Sequence, residues 1–130
     1  MVVVLVVIQF VPIARMNPPV ESEVQVSPEL KAIFKRACYN CHSNETAWPW
    51  YSRVAPISFL ITNDVKEGRK EVNFSLWDQY NEKRKARKLK EIVKQVETGK
   101  MPQWYYILIH PDAKLSASDR EMILKWAKQP

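Results

Sequence analysis

The chain has 130 residues, a length that one compact domain accommodates, and 46% of them are hydrophobic. Because only two residues are glycine, the composition excludes glycine-rich linkers and low-complexity disorder. The formal net charge of +6 suits an acidic redox partner, an anionic membrane surface or a nucleic acid, so charge alone does not select a function.

An apolar run opens the chain at Val2–Ile8 and continues with one glutamine to Ala14. It is shorter than the roughly 20 residues that cross a bilayer, and it lacks the basic start and cleavage site of a complete secretory signal. Two interpretations stay open: the trailing part of a trimmed membrane anchor, which we favour, or a strand or packing arm. Asn17-Pro18-Pro19 then predicts a stiff tether. We therefore divide the chain into an apolar segment with its tether, 1–26, and a functional domain, 27–130.

Helix signals dominate the domain. Ser27 as N-cap and Pro28 at the first helical position predict a helix that runs to Cys38. Its expected buried face consists of Leu30, Ile33, Phe34 and Ala37. A second helix is expected from Pro56 to Glu67, ended by Gly68. Asn73 or Ser75 is expected to start a short turn.

Two more helices are expected near the end of the chain. The first runs from about Asn81 to Thr98 and stops at Gly99; it carries a basic run that we interpret as a solvated face. The second opens on a capping box at Ser118–Glu121 and is expected to turn Met122, Ile123 and Trp126 toward the core. The predicted fold class is all-α. The basic run comprises Lys83, Arg84, Lys85, Arg87, Lys88 and Lys90.

The most informative stretch is Cys38-Tyr39-Asn40-Cys41-His42, which contains the only two cysteines. A zinc site usually needs a second pair of ligands, which is missing. A thiol redox pair normally starts a helix in a strand-rich setting, and a disulfide across two residues closes too short a loop to stabilise much. Covalent haem attachment uses every residue of the motif: two thiols for the vinyl groups and His42 as the proximal iron ligand.

Further motifs carry a family resemblance. A GxMP loop at Gly99–Pro102 and a terminal helix with tryptophan after Leu-Ser resemble the small single-haem cytochromes c. The segments CYNCHSNETAWPWYSRVAPIS, DVKEGRKEVNFSLW and GKMPQWYYILIHPDAKLS more closely resemble the bacterial haem-binding domain family. The resemblance covers most of residues 8–126. It implies a cytochrome c-like helical domain around one covalent haem c, outside the cytoplasm.

Two residues compete for the sixth iron position, Met101 and His110. The resemblance to the GxMP loop favours Met101, and an open position is the third possibility. Trp50, Tyr51 and Arg53 offer an indole N–H, a phenol and a guanidinium that suit haem propionates, with ordinary packing as the alternative. The aromatic run Trp104–Tyr106 is a candidate wall of the distal side, although packing explains it as well.

The expected function is electron transfer by a periplasmic, membrane-anchored carrier rather than catalysis. Its expected partners are periplasmic or membrane-bound redox proteins. The alternative is a haem enzyme or sensor whose accessible iron binds peroxide or a diatomic gas. No nucleic-acid partner is expected, since the basic run comes without a recognisable nucleic-acid-binding motif.

Overall fold

Seven α-helices, joined by loops and short 3₁₀ turns, form the fold in the computed structural model, which describes residues 1–129. Across those residues the only strand-like pairing is an isolated parallel bridge between Ser22 and Leu76. The prediction of an all-α chain is confirmed. The helices are α1 Val2–Val7, α2 Pro28–Ala37, α3 Tyr39–His42, α4 Ile57–Glu71, α5 Glu82–Glu97, α6 Trp104–Ile109 and α7 Ala117–Ala127.

Helix α2 begins as its sequence predicts and forms the centre of the core. The Ser27 side chain accepts a hydrogen bond from the Leu30 backbone N–H at 3.3 Å, which satisfies a donor that the first turn leaves free. All four residues of the expected apolar face are buried. Phe34 stacks on Phe74 with ring centroids 4.7 Å apart and meets Trp126 edge-on at 5.2 Å, so α2 joins the middle and the end of the chain.

The helices pack in two groups that share α2. Helix α3 packs against α4 and α2, whereas α5 packs against α7, which in turn contacts α2. Ile123 of α7 is buried and belongs to the same hydrophobic cluster as Phe34. Met122 is exposed, so its predicted core position is wrong, while Trp126 packs against the cluster as expected.

Two predicted helix boundaries differ from the structure. Helix α4 continues through Gly68 to Glu71, because this glycine serves a close helix contact, described below, rather than a helix end. The capping box of α7 uses Ser116 and Asp119, two residues before the predicted one, since a Ser-x-x-acid pattern occurs at both offsets. Helix α6, Trp104–Ile109, is not among the predicted helices, and no side-chain cap marks its start. By contrast, α5 ends as predicted, with Gly99 at a φ of 71°.

Hydrogen bonds hold the N-terminal segment against the rest of the chain. Helix α1 has no buried residue, and its helical form removes the strand interpretation. Gln9 donates to the Ala55 carbonyl at 3.0 Å and accepts from the Ala55 N–H at 3.0 Å. Further along, Arg69 donates to the Met16 carbonyl at 2.8 Å, and Val24 is part of the core. The division after residue 26 stays a prediction.

Within residues 1–129, no helix combines the length and the apolar character that crossing a membrane requires.

Candidate functional site

The CYNCH stretch turns sharply at the end of α2. Cys38 lies just beyond that helix, and its carbonyl accepts hydrogen bonds from the Cys41 N–H at 3.2 Å and the His42 N–H at 2.9 Å. This single turn, continued as α3, brings Cys38, Cys41 and His42 to one cavity of about 570 Å³. Both cysteines are free and partly buried. The spacing therefore places two thiols and one imidazole on the same cavity.

The two thiols are held in their neutral form. Burial, followed by the proximity of Cys41, raises the pKa of Cys38 to about 12. Burial and the Asp64 carboxylate raise the pKa of Cys41 to about 11. A redox-active thiol pair needs the opposite shift, because the thiolate is the nucleophile. The electrostatics thus disfavour the redox interpretation of CxxC.

The His42 ring has a fixed orientation and tautomer. Its Nδ1 lies 2.8 Å from the Gly68 carbonyl oxygen and 3.1 Å from that of Val72; two acceptors there require Nδ1 to carry the hydrogen. Burial lowers the pKa of His42, although both carbonyls and the Glu71 charge oppose the shift. A neutral ring with a proton on Nδ1 leaves Nε2 with a free lone pair. Metal-ligating histidines typically have this backbone partner on the other nitrogen.

Gly68 brings α4 against this turn. A Cβ built at position 68 would lie 2.4 Å from the Cys41 carbonyl oxygen and 3.1 Å from the Cys41 Cβ. Any side chain at this position would therefore push α4 away from α3. The absence of a side chain lets the same residue offer its carbonyl to His42. Arg69, the next residue, donates from Nε to the Ser43 carbonyl at 2.8 Å and fastens the end of α3 to α4.

The remaining cavity wall comes from later elements. Helix α5 contributes Ile92 and Val96, the loop after it contributes Met101 and Pro102, and α7 contributes Ile123. Tyr106 of α6 also lines the cavity, and its hydroxyl accepts a hydrogen bond from the Asn40 side chain at 2.8 Å. Since Asn40 lies inside CYNCH, this bond connects the cysteine motif to α6.

The structure separates the two candidates for the sixth iron position. Met101 lines the cavity together with His42, and its backbone N–H donates to the Gln95 carbonyl at 3.2 Å. His110 is outside the cavity lining; its Nε2 shares a hydrogen bond with the Tyr51 hydroxyl, and its ring stacks on Tyr106 at 4.4 Å. Only Met101 therefore lies beside the cavity.

Trp50, Tyr51 and Arg53 lie away from the cavity lining. Trp50 is 77% exposed, and the Tyr51 hydroxyl is engaged by His110. Arg53 lines a separate pocket beside the N-terminal segment. The propionate role suggested for these three side chains stays a prediction without geometric support.

Sequence reasoning missed the basic residues that do line the cavity. Arg84, Arg87 and Lys88 of α5 border it, a position that the prediction of a solvated face does not include, even though Arg84 and Arg87 are exposed. A signal was present in the sequence: these residues share a helix face with Ile92 and Val96, at spacings of three and four. A run with both a cationic and an apolar part on one face suits a ligand with both characters.

The cavity residues fit a haem. Its volume lies within the roughly 300–1,000 Å³ of small-molecule and cofactor sites, and apolar side chains from α2, α5 and α7 line it. The donor set of two thiols, an imidazole with a free Nε2 and a thioether is chemically suited to attaching a porphyrin and binding its iron. The cations of α5 provide partners for the carboxylates that a haem carries.

Comparisons with known proteins agree with this geometry. A family described as a haem-binding domain matches residues 3–129, nearly the whole chain. No curated protein and no solved structure matches the chain. The family match and the cavity at CYNCH lead to one conclusion: the chain belongs to the haem-binding domain family.

Proposed function

We propose that the chain carries one haem c, attached through Cys38 and Cys41 and ligated by His42 and Met101, and that it transfers electrons as a cytochrome c-like carrier. The observation that carries the proposal is the single cavity lined by both thiols, His42 and Met101. A haem c supplies reversible one-electron exchange between ferric and ferrous iron.

Attachment follows from the chemistry of the two thiols. Each thiol adds across one vinyl group: its S–H bond breaks, an S–C bond forms and the hydrogen passes to the other vinyl carbon, so no oxidant is consumed. The turn at Cys38 presents both sulfurs to one cavity. In bacteria this maturation takes place outside the cytoplasm, which supports a periplasmic location. The exposed apolar helix α1 supports a membrane tether there.

Ligand identity favours a carrier over an enzyme. Nε2 of His42 is free to bind iron because Nδ1 is engaged by the carbonyls of Gly68 and Val72. Met101 offers a soft thioether that favours ferrous iron and raises the potential. With His42 and Met101 both holding the iron, a substrate would have no access to it. The partners would be periplasmic or membrane-bound redox proteins, with the net positive charge steering acidic ones.

The test is a mass measurement and visible spectrum of protein matured in a haem-attaching periplasm. One haem should remain through acid extraction, and Cys38→Ala with Cys41→Ala should abolish its retention. Recovery of haem-free wild type with its thiols paired as a disulfide would overturn the proposal.

Carbon monoxide separates the carrier from the enzyme or sensor. The reduced wild-type protein should bind it slowly or not at all, since His42 and Met101 would both hold the iron. Rapid, complete binding would instead indicate an accessible iron and favour peroxide or diatomic-gas chemistry.

A further inference from the structure

One face of α5 lines the haem cavity along much of the helix length. The lining positions are separated by three or four residues, which places them on a single helix face. Its N-terminal half carries three cations, and its two apolar lining residues, Ile92 and Val96, lie in the C-terminal half. The lining residues are Arg84, Arg87, Lys88, Glu91, Ile92, Gln95 and Val96.

The three lining cations differ in their ion pairs from their neighbour Lys85. Lys85, between them, pairs with Asp78 at 3.1 Å and Glu82 at 3.8 Å, but among residues 1–129 no carboxylate lies within ion-pair distance of Arg84, Arg87 or Lys88. Neighbouring like charges on one helix face repel each other. An anion at the cavity would remove that repulsion.

Two of these cations are held in place by the surrounding residues. Lys88 Nζ donates to the Glu71 carbonyl at 2.5 Å, and it also lies 4.5 Å from the Tyr80 ring centroid. The Arg84 guanidinium lies 5.2 Å from the same centroid. Burial and the neighbouring Arg84 and Arg87 lower the pKa of Lys88, although the Glu71 charge opposes the shift.

We propose that Arg84, Arg87 and Lys88 bind the two propionate carboxylates of the haem, with the macrocycle against Ile92 and Val96. This inference rests on the proposed haem c. Propionates are the carboxylates that a haem brings to an apolar cavity, and a guanidinium can hold one with two parallel hydrogen bonds.

The other charged residues at the cavity indicate in which direction the haem propionates point. Helix α4 places three carboxylates there against one cation, so propionates directed toward α4 would meet net repulsion. Helix α5 places three cations there against one carboxylate. The charged residues are Asp64, Glu67, Lys70 and Glu71 on α4, and Arg84, Arg87, Lys88 and Glu91 on α5. The propionates therefore point to the N-terminal half of α5.

The experiment compares two charge-matched pairs of substitutions on one helix. Arg84→Gln with Arg87→Gln removes two lining cations, whereas Lys83→Gln with Lys90→Gln removes two cations outside the lining. Haem-loaded protein with ¹³C-labelled propionates is titrated by NMR. We expect the first pair to raise the propionate pKa values by about one unit or more, because nearby cations favour the ionised carboxylates, and the second pair to shift them by less than about a third of that.

A third variant should shift the propionate pKa values in the opposite direction. Glu91→Gln removes the one carboxylate on the same lining face, so the propionate pKa values should fall. The propionate assignment would be overturned if the arginine double variant and the lysine double variant shifted the propionate pKa values equally. It would also be overturned if Arg84→Gln with Arg87→Gln caused no shift. Either result would leave the haem itself established. Absence of covalent haem from the wild type would instead overturn the proposed function.

Discussion

The two sides of the cavity are built by different means. The α3–α4 wall, with Cys38, Cys41 and His42, is joined by backbone contacts: Gly68 lies against the Cys41 carbonyl, and the Phe74 N–H donates to the His42 carbonyl at 2.8 Å. The α5 wall, which includes the loop with Met101, consists mainly of long side chains. Arg84, Arg87 and Lys94 on α5 are largely exposed.

Because of this difference, we expect the α3–α4 wall to fix the position of the haem and the α5 wall to tune its properties. A wall fixed by carbonyl and amide contacts allows little displacement, so it suits bonds that must form at defined positions. A wall of flexible side chains can accommodate changes in charge and ligand without refolding. Substitutions on the α3–α4 wall should therefore disturb stability, whereas those on the α5 wall should mainly change spectral and redox properties.

The largest expected effect tests whether the α5 wall, through Met101, supplies the second iron ligand. Met101→Ala should lower the reduction potential, remove the weak far-red band of methionine-ligated ferric haem and let the reduced protein bind carbon monoxide rapidly. His110→Ala should leave these three properties nearly unchanged, because its ring is engaged by Tyr51 and Tyr106. Spectra, potentiometry and stopped-flow measurements check both variants.

Swapped results would replace the assignment with bis-histidine ligation. If neither substitution changes carbon monoxide binding, the sixth iron position is already vacant in the wild type. That result would favour the enzyme or sensor interpretation.

The next largest effect is expected at Gly68. A methyl group there would lie 2.4 Å from the Cys41 carbonyl oxygen, so Gly68→Ala should destabilise the haem-loaded protein by about 1–3 kcal/mol, as overpacking does, despite its better helix propensity. Lys66→Ala, at an exposed position of the same helix, should stay within about 0.5 kcal/mol. Urea denaturation gives both values. A stabilised Gly68→Ala variant would show that α4 is not in tight contact with α3.

On the α5 wall, replacing Gly99 should destabilise the protein less than replacing Gly68. Its φ of 71° is costly for a residue with a Cβ, and nothing lies within 4 Å of the position that such an atom would take. Gly99→Ala should therefore cost only the backbone strain, about 1–2 kcal/mol, and Gly99→Asn should cost less. Thermal unfolding compares the two variants; equal losses would contradict strain as the cause.

The smallest effect is expected at the contact between α7 and α2. Helix α7 in turn packs against α5. Asp119 accepts hydrogen bonds from Arg36 at 2.5 Å and from the Ser116 N–H at 2.8 Å. Asp119→Asn should cost about 1 kcal/mol, the scale of a helix cap combined with a surface ion pair. Glu121→Gln, at an exposed carboxylate of the same helix, is the control and should be neutral.

The pH dependence of this effect has a definite sign. Although burial opposes it, the hydrogen bonds from Arg36 and Ser116 lower the pKa of Asp119. Its contribution is present above the unfolded value of about 3.9 and is lost as the pH falls through the lower folded pKa. The stability difference between wild type and Asp119→Asn should thus shrink below about pH 4. A difference that grows on acidification would contradict the ion pair.

Local signals in the sequence predicted the elements well. Ser27 and Gly99 define helix ends through their own chemistry, so α2 and α5 could be anticipated, and CYNCH marked the site. Gly68 could not be interpreted correctly because a glycine at a helix end and one at a close helix contact look the same in a single sequence. The contacts of Trp50, Tyr51 and Arg53 depend on how the loop after α3 folds back, which no local pattern encodes. The basic run of α5 is largely exposed, as a solvated face should be, but a single sequence does not show that Arg84, Arg87 and Lys88 also border the cavity.

The double role of Gly68 has a consequence for how sequences of this family can vary. The residue provides both the space for the Cys41 carbonyl and the oxygen that meets His42 Nδ1, so a mutation cannot change one without the other. In a homologous chain with a side chain at this position, we expect α4 to have moved away from the cysteine turn. Such a chain would need a compensating substitution elsewhere to supply a new partner for the histidine, and the two changes should be inherited together.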